Sequence, residues 1–222
     1  MPKIVDHDEY KKELLEKCFH LFSRKGYSSV TMREIASEIG VSTGSLYHYF
    51  PSKESILGEM IIWAGESNAS EYIRRTGSTE NLRERYRLNV EFWKEHGEFY
   101  QNLMLLGIDM LRITGRETFE AIFHEFSEYY VVAMSDRLNI SRQFAQSIFL
   151  YLIGVVLHSL LTPAFFSYEE QVDVFSGMLE PLVVDTSENM DLALGKARGI
   201  ILGLLMKNTA LSRQAESTPE RD

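Results

Sequence analysis

Apolar positions recur at helical spacing along most of the chain, and no stretch alternates with period two for long enough to argue a strand. The clearest periodicity lies in TMREIASEIGVSTGSLYHYFPSK, from Thr31 to Lys53. Met32, Ile35, Ala36 and Ile39 fall at i, i+3, i+4 and i+7, one face of a helix. Thr31 and Glu34 stand in the S/T-x-x-E order of a capping box, so this helix should begin at Thr31. Gly40 follows the last periodic residue, where a left-handed closing residue is wanted. A second short helix is expected from Ser42 through Leu46 to Phe50, ended by Pro51, because the residue before a proline is pushed out of helical geometry. Two helices across a tight glycine-containing turn predict a helix-turn-helix, a unit whose second helix enters the major groove of DNA.

The flanking pattern extends the reading. A first helix is expected over 8–25, with Leu14, Cys18, Leu21 and Phe22 on one face, stopped at Gly26. It supplies the core that two short helices cannot build alone. Ser52 can cap a helix running from Lys53 to about residue 74, which links two halves of the molecule. Further helices are expected over 79–96, 98–113, 116–138, 142–162, 168–179 and 188–210, with a loop over 182–187. The fold class is therefore all-α: a helix-turn-helix domain over 1–52 and a larger helical domain over 53–222.

Net charge is −9, which speaks against the whole chain binding nucleic acid. Its distribution changes the picture. Between Lys11 and Lys53 seven Lys/Arg face four Asp/Glu, a balance of +3, so the remainder carries −12. A mildly basic segment on an acidic body suits a DNA reader joined to a second domain. The single cysteine, Cys18, allows no internal disulfide and fits a reducing cytoplasm; its place on an apolar face makes it a structural thiol. The N-terminal residues are polar and acidic, unlike a signal peptide. The run from Phe144 to Leu161 is about long enough to span a bilayer, but Gln146, Ser147, His158 and Ser159 interrupt it, so a buried or dimer-forming helix is expected and no membrane partner.

The run FSRKGYSSVTMREIASEIGVSTGSLYHYFPSKESIL, Phe22 to Leu57, resembles the DNA-binding domain of the TetR family of bacterial repressors. The aromatic-Gly-aromatic spacing after the first helix, the Thr before the second and the GSLYHYF string in the third carry the resemblance, over about a quarter of the chain. It implies a homodimer on double-stranded DNA, with an effector pocket and dimer interface in the helical body. It also implies phosphate contacts at Thr31 and Lys53, and a DNA face formed by Ser42, Thr43, Gly44, Tyr47, His48 and Tyr49. Lys53 at a helix N-terminus adds a cation to free backbone N–H groups, and Gly44 permits close backbone approach. Leu46 and Phe50 should face inward. The chain departs from the family pattern at Thr43 and Pro51, where many relatives carry a cation, so its salt dependence should be shallower. No Arg, Asn or Gln in the third helix offers a bidentate base contact, which leaves sequence reading to Thr43, His48 and DNA shape.

In the body, large apolar and aromatic residues can wall a pocket, with Met adapting to varied shapes. The candidates are Trp63, Phe92, Trp93, Tyr100, Met104, Phe123, Phe126, Tyr130 and Phe149, with His96 and His158 as polar anchors. For any single one of them, plain core is the commoner role, and His96 beside Gly97 also suits a helix C-terminus. The effector expected is a small, largely apolar molecule, with a cationic lipophile as the alternative that the acidic excess leaves open. Gly195, Gly199 and Gly203 repeat every four residues in the last helix, a stripe for close helix packing, expected to pair across a dimer with the helix holding Ser147 and Gly154. The same stripe also fits packing inside one subunit. The chain has no P-loop, GxGxxG, HExxH or GxSxG motif, so no enzyme, cofactor or catalytic residue is assigned. Its histidines do not stand at ligand spacings, so no metal site is assigned; a helical metal sensor and an activator stay as alternatives to a repressor on a palindromic operator.

Overall fold

A computed structural model describes residues 7–184. Every regular element among them is helical. The helix expected over 188–210, with Gly195, Gly199 and Gly203, lies outside the described residues.

Helix α1 spans His7–Lys25 and buries the expected face, with Leu14 and Cys18 fully covered. Burial pushes the Cys18 thiol up to about 12, which leaves it without a thiolate at neutral pH. A short 3-10 turn, Tyr27–Ser29, follows Gly26. Helix α2 spans Met32–Ile39, and both halves of the Thr31/Glu34 capping box are formed. Gly40 closes it with φ 80° and ψ 31°, the left-handed geometry for which glycine has no steric penalty. Helix α3, Thr43–Tyr49, is capped by Ser42, whose Oγ accepts from the Ser45 N–H at 3.0 Å. Leu46 and Phe50 are both fully buried, so the third helix is seated by two apolar residues on its inner side.

Helix α4, Lys53–Thr76, starts in a reciprocal Ser52/Ser55 cap and packs against α1, then against α5 (Leu82–Glu95), α6 (Gly97–Thr114) and α7 (Arg116–Leu138). Its first half, Ile56 to Ala64, belongs to the same core as α1–α3, and Leu103, Leu106 and Met110 of α6 join that core. Its second half, from Ala69, belongs to the core of the body. The packing therefore does not break at residue 53: α4 is common to both cores, and α6 braces the reader from behind.

Helix α8, Arg142–Leu161, lies against α6, α7 and α9. Its length and mean hydropathy of 1.9 would suit a membrane span, but its inner side, including Ile148, Leu152 and Val156, is packed into the body. Helix α9, Tyr168–Val184, corrects the expectation of a stop before Pro181 and a loop from Leu182. Proline removes one intrahelical hydrogen bond, to the Gly177 carbonyl. Leu179, Pro181 and Val183 are all buried there, so tertiary packing carries the helix through the local break.

Candidate nucleic-acid interface and internal cavity

The outer side of the helix-turn-helix gathers most of the expected DNA-face residues. Ser42, Gly44, Tyr47 and His48 are exposed, and Thr43 and Tyr49 are half-buried beside them. Tyr47 is 51% exposed with no side-chain hydrogen bond among the described residues. At Gly44 a Cβ would meet only the Ser42 Oγ, at 4.0 Å, so no packing contact among the described residues demands glycine there. Tyr49 is less free: its hydroxyl lies 3.1 Å from His7 Nδ1 and its ring packs on Tyr10 at 5.6 Å. Thr31 is exposed, yet its Oγ1 donates to Glu34 Oε2 at 2.7 Å, and this holds the Glu34 carboxyl below the usual carboxylate range.

Lys53 differs from the expectation. Its Nζ donates to the Tyr27 carbonyl at 3.1 Å and the Val30 carbonyl at 2.9 Å, and sits 4.2 Å from the centre of the Tyr27 ring. The ammonium ties α4 to the connection between α1 and α2, with two of its three N–H groups used inside the fold. The other cations of this domain are mostly neutralised. Lys11 pairs with Glu59, Lys17 with Glu13, and both Arg24 and Lys25 with Glu38. Among the described residues of this domain, Arg33, exposed in the first turn of α2, is the one Lys or Arg without such a partner. The sequence held the signal: positions three and four residues either side of Arg33 are Val30, Ser29, Ala36 and Ser37, none acidic.

The body holds a partly open cavity of about 110 Å³ between α4, α5, α6, α7 and α8. Of the expected pocket residues, Trp93, Tyr100, Met104, Phe123, Phe126 and Phe149 line it. The others do not. Trp63 packs on the core of the reader, and Phe92 is fully buried under the His96 ring at 4.1 Å. His96 Nδ1 lies 2.8 Å from the Phe92 carbonyl, at the end of α5. Tyr130 is fully buried behind the wall, and the exposed His158 packs on the Phe166 ring at 4.1 Å, tilted by 31°. Missed by the aromatic reading were the aliphatic members, among them Ile61, Leu103, Ile108, Leu152 and Val156, and Gly107 in the middle of α6.

Two buried amides organise the ring cluster behind this cavity. Asn68 Oδ1 accepts from the Tyr100 hydroxyl at 2.9 Å and the Tyr130 hydroxyl at 2.5 Å. Asn89 Oδ1 accepts from the Tyr72 hydroxyl at 2.9 Å and from Trp93 Nε1 at 3.2 Å. Burial raises the Tyr72, Tyr100 and Tyr130 hydroxyls well above their ordinary range, so all three remain donors. One turn before Asn68, the Phe126 ring lies directly on the α4 backbone: a Cβ at Gly65 would stand 2.6 Å from Phe126 Cδ2. The cavity wall thus grips α4 at Gly65 and at Asn68. No group of three His, Cys, Asp or Glu side chains placed to hold a metal occurs among the described residues.

Residues 14–60, from α1 into the first turns of α4, match the family of bacterial regulatory proteins named tetR. The chain's N-terminal domain is a TetR-type DNA-binding domain. Over 96 residues the chain is 31% identical to the transcriptional regulator YuxN of Bacillus subtilis, covering 43% of this chain and 31% of that protein. Over 51 residues it is 43% identical to the transcriptional repressor KstR2 of Rhodococcus jostii, covering 23% of this chain and 25% of that one. The matches thus span less than a third of these curated relatives. In shape, the chain is similar to a Saccharomonospora viridis protein solved with choline, at a TM-score of 0.64 and 17% identity, over 78% of this chain and 97% of that one. It is also similar to the regulator FadR of Bacillus subtilis solved with stearoyl-CoA, at 0.58 and 16%, over 77% and 96%. At such identities the likeness speaks for the shared TetR-type fold alone.

Proposed function

We propose that this chain is a dimeric TetR-family transcriptional repressor, which holds a palindromic operator and releases it when a small, largely apolar effector enters the helical body. The observation that carries the reading is the α3 unit: two residues seal it inward, and Ser42, Gly44, Tyr47 and His48 are exposed on its outer side. The DNA face we assign is Thr31, Ser42, Thr43, Gly44, Tyr47 and His48, with Tyr49 buttressing it. Arg33 joins it as a phosphate contact, and Lys53 acts as an internal tie. Arg33→Ala is expected to weaken operator binding about tenfold, as loss of a charge-assisted bond does, and to reduce the salt slope by about one. Equilibrium binding at several salt concentrations reads both numbers.

The outer side of α8 supports a dimer. Leu150, Leu157 and Leu161 are 58%, 42% and 72% exposed, on the same side as Ser147 and Gly154. A Cβ at Gly154 would meet no atom of the described residues within 4 Å, which suits the close approach of another helix there. Two family-like folds were solved with a small molecule bound, which supports an effector role for the cavity. Filling it would act on α4 through Ile61, Gly65 and Asn68, and α4 begins at the reader. An effector that prefers another α4 position lowers operator affinity tenfold for each ~1.4 kcal/mol of that preference. The test is selection of bound oligonucleotides from a random pool with the purified protein. A palindromic consensus is expected; recovery of no consensus, or of one without two-fold symmetry, would overturn the reading.

A further inference from the structure

We infer that the cavity takes an uncharged, single-ring hydrocarbon-like molecule that it holds without a hydrogen bond. The inference rests on the effector reading above and narrows its chemistry. Every lining residue among those described is Ile, Leu, Val, Met, Gly, Phe, Tyr or Trp. The two of these with polar side-chain atoms, Tyr100 and Trp93, have them committed elsewhere. The Tyr100 hydroxyl donates to Asn68 and Trp93 Nε1 donates to Asn89, both in the layer behind the wall. Among the described residues, no charged side chain lines the space. A carboxylate or an ammonium group entering it would give up its water shell and find no partner.

Size and shape point the same way. The volume of about 110 Å³ is of the order of an engineered apolar cavity of ~150 Å³ that stays dry and takes up benzene. Rings form much of the wall, including Phe119 and Phe123, which are nearly parallel at 5.7 Å, and Phe126 and Phe149. Such walls offer edges and faces to an aromatic guest. Gly107 supplies a further sign. A glycine inside a helix is destabilising relative to alanine, and a Cβ here would meet Phe119 Cε2 at an ordinary 3.6 Å. Packing alone does not require it, and its effect is to leave the cavity open.

The test uses three molecules of one shape: ethylbenzene, benzoate and protonated benzylamine. Binding to the full-length protein is followed by calorimetry and by thermal unfolding, in the absence of DNA. Ethylbenzene is expected to bind saturably and to raise Tm, and the two charged isosteres to bind on the order of 100-fold more weakly or not at all. Gly107→Leu is expected to remove ethylbenzene binding while the folded protein keeps or gains thermal stability. Equal or tighter binding of either charged isostere overturns the inference. So does a lack of ethylbenzene binding to the wild type, or undiminished binding to a folded Gly107→Leu protein. The regulator reading is judged separately: ethylbenzene binding by a protein that never binds DNA would remove that reading and leave this one standing.

Discussion

Replacing Asn68 with leucine is expected to destabilise the protein by about 2–4 kcal/mol, read as a drop in denaturant midpoint at constant slope. The amide oxygen serves two hydroxyls, those of Tyr100 and Tyr130, in a layer where both rings are buried. Without it, one hydroxyl can turn to the other, and at least one proton is left with no acceptor away from water. Such an orphan costs ~1–3 kcal/mol, on top of the bonds lost. The same reasoning predicts a rescue. Combining Asn68→Leu with Tyr100→Phe and Tyr130→Phe removes the orphans together with their partner, and most of the loss should return. A triple variant no more stable than Asn68→Leu would show that the amide acts by its shape rather than by its two hydrogen bonds.

Gly65→Ala is expected to cost about 1–3 kcal/mol through overpacking, although the same change in an open helix stabilises by ~0.5–1 kcal/mol. The sign is decided by the Phe126 ring, 2.6 Å from the Cβ that would be added. Backbone and ring cannot both stay, and the same ring lines the cavity. The substitution should therefore also shrink the space available to a ligand. In a Phe126→Leu background it should cost at least ~1 kcal/mol less, a coupling that a double-mutant cycle measures. Additive costs would mean that the ring does not bear on α4, and the path from cavity to reader proposed above would lose its main contact.

These two sites mark where sequence reading stopped. Capping residues are local, so the starts of α2, α3 and α4 and the end of α2 were legible from Thr31, Ser42, Ser52 and Gly40 within about one residue. Leu46 and Phe50 were legible as the inward pair because helical spacing dictates it. Lys53 was not, because the carbonyls of Tyr27 and Val30 lie 26 and 23 residues earlier and only the fold brings them to its ammonium. The unpaired state of Arg33 was readable in its neighbours. In the body, aromatic residues were visible but their depth was not. Phe92 and Tyr130 stand behind the wall that Trp93 and Tyr100 form, a difference of one helix face that the order of α5 to α8 in space decides. The aliphatic half of the cavity and the mid-helix Gly107 carried a signal that attention to rings alone passed over. Pro181 shows local preference overruled by burial on either side of it.

The central claim is that two copies of α3 read one operator from successive major grooves. In that arrangement the half-sites lie about 34–36 Å apart, one turn of DNA, or a multiple of it. The most direct measurement is the affinity of the protein for its selected palindrome and for the same sequence with five base pairs inserted at the centre. The insertion turns one half-site to the opposite side of the duplex. Binding of two protomers to the palindrome and a loss of about 100-fold or more on insertion are expected, since only one half-site can then be engaged. Unchanged affinity after the insertion, or one protomer bound per palindrome, would contradict the account.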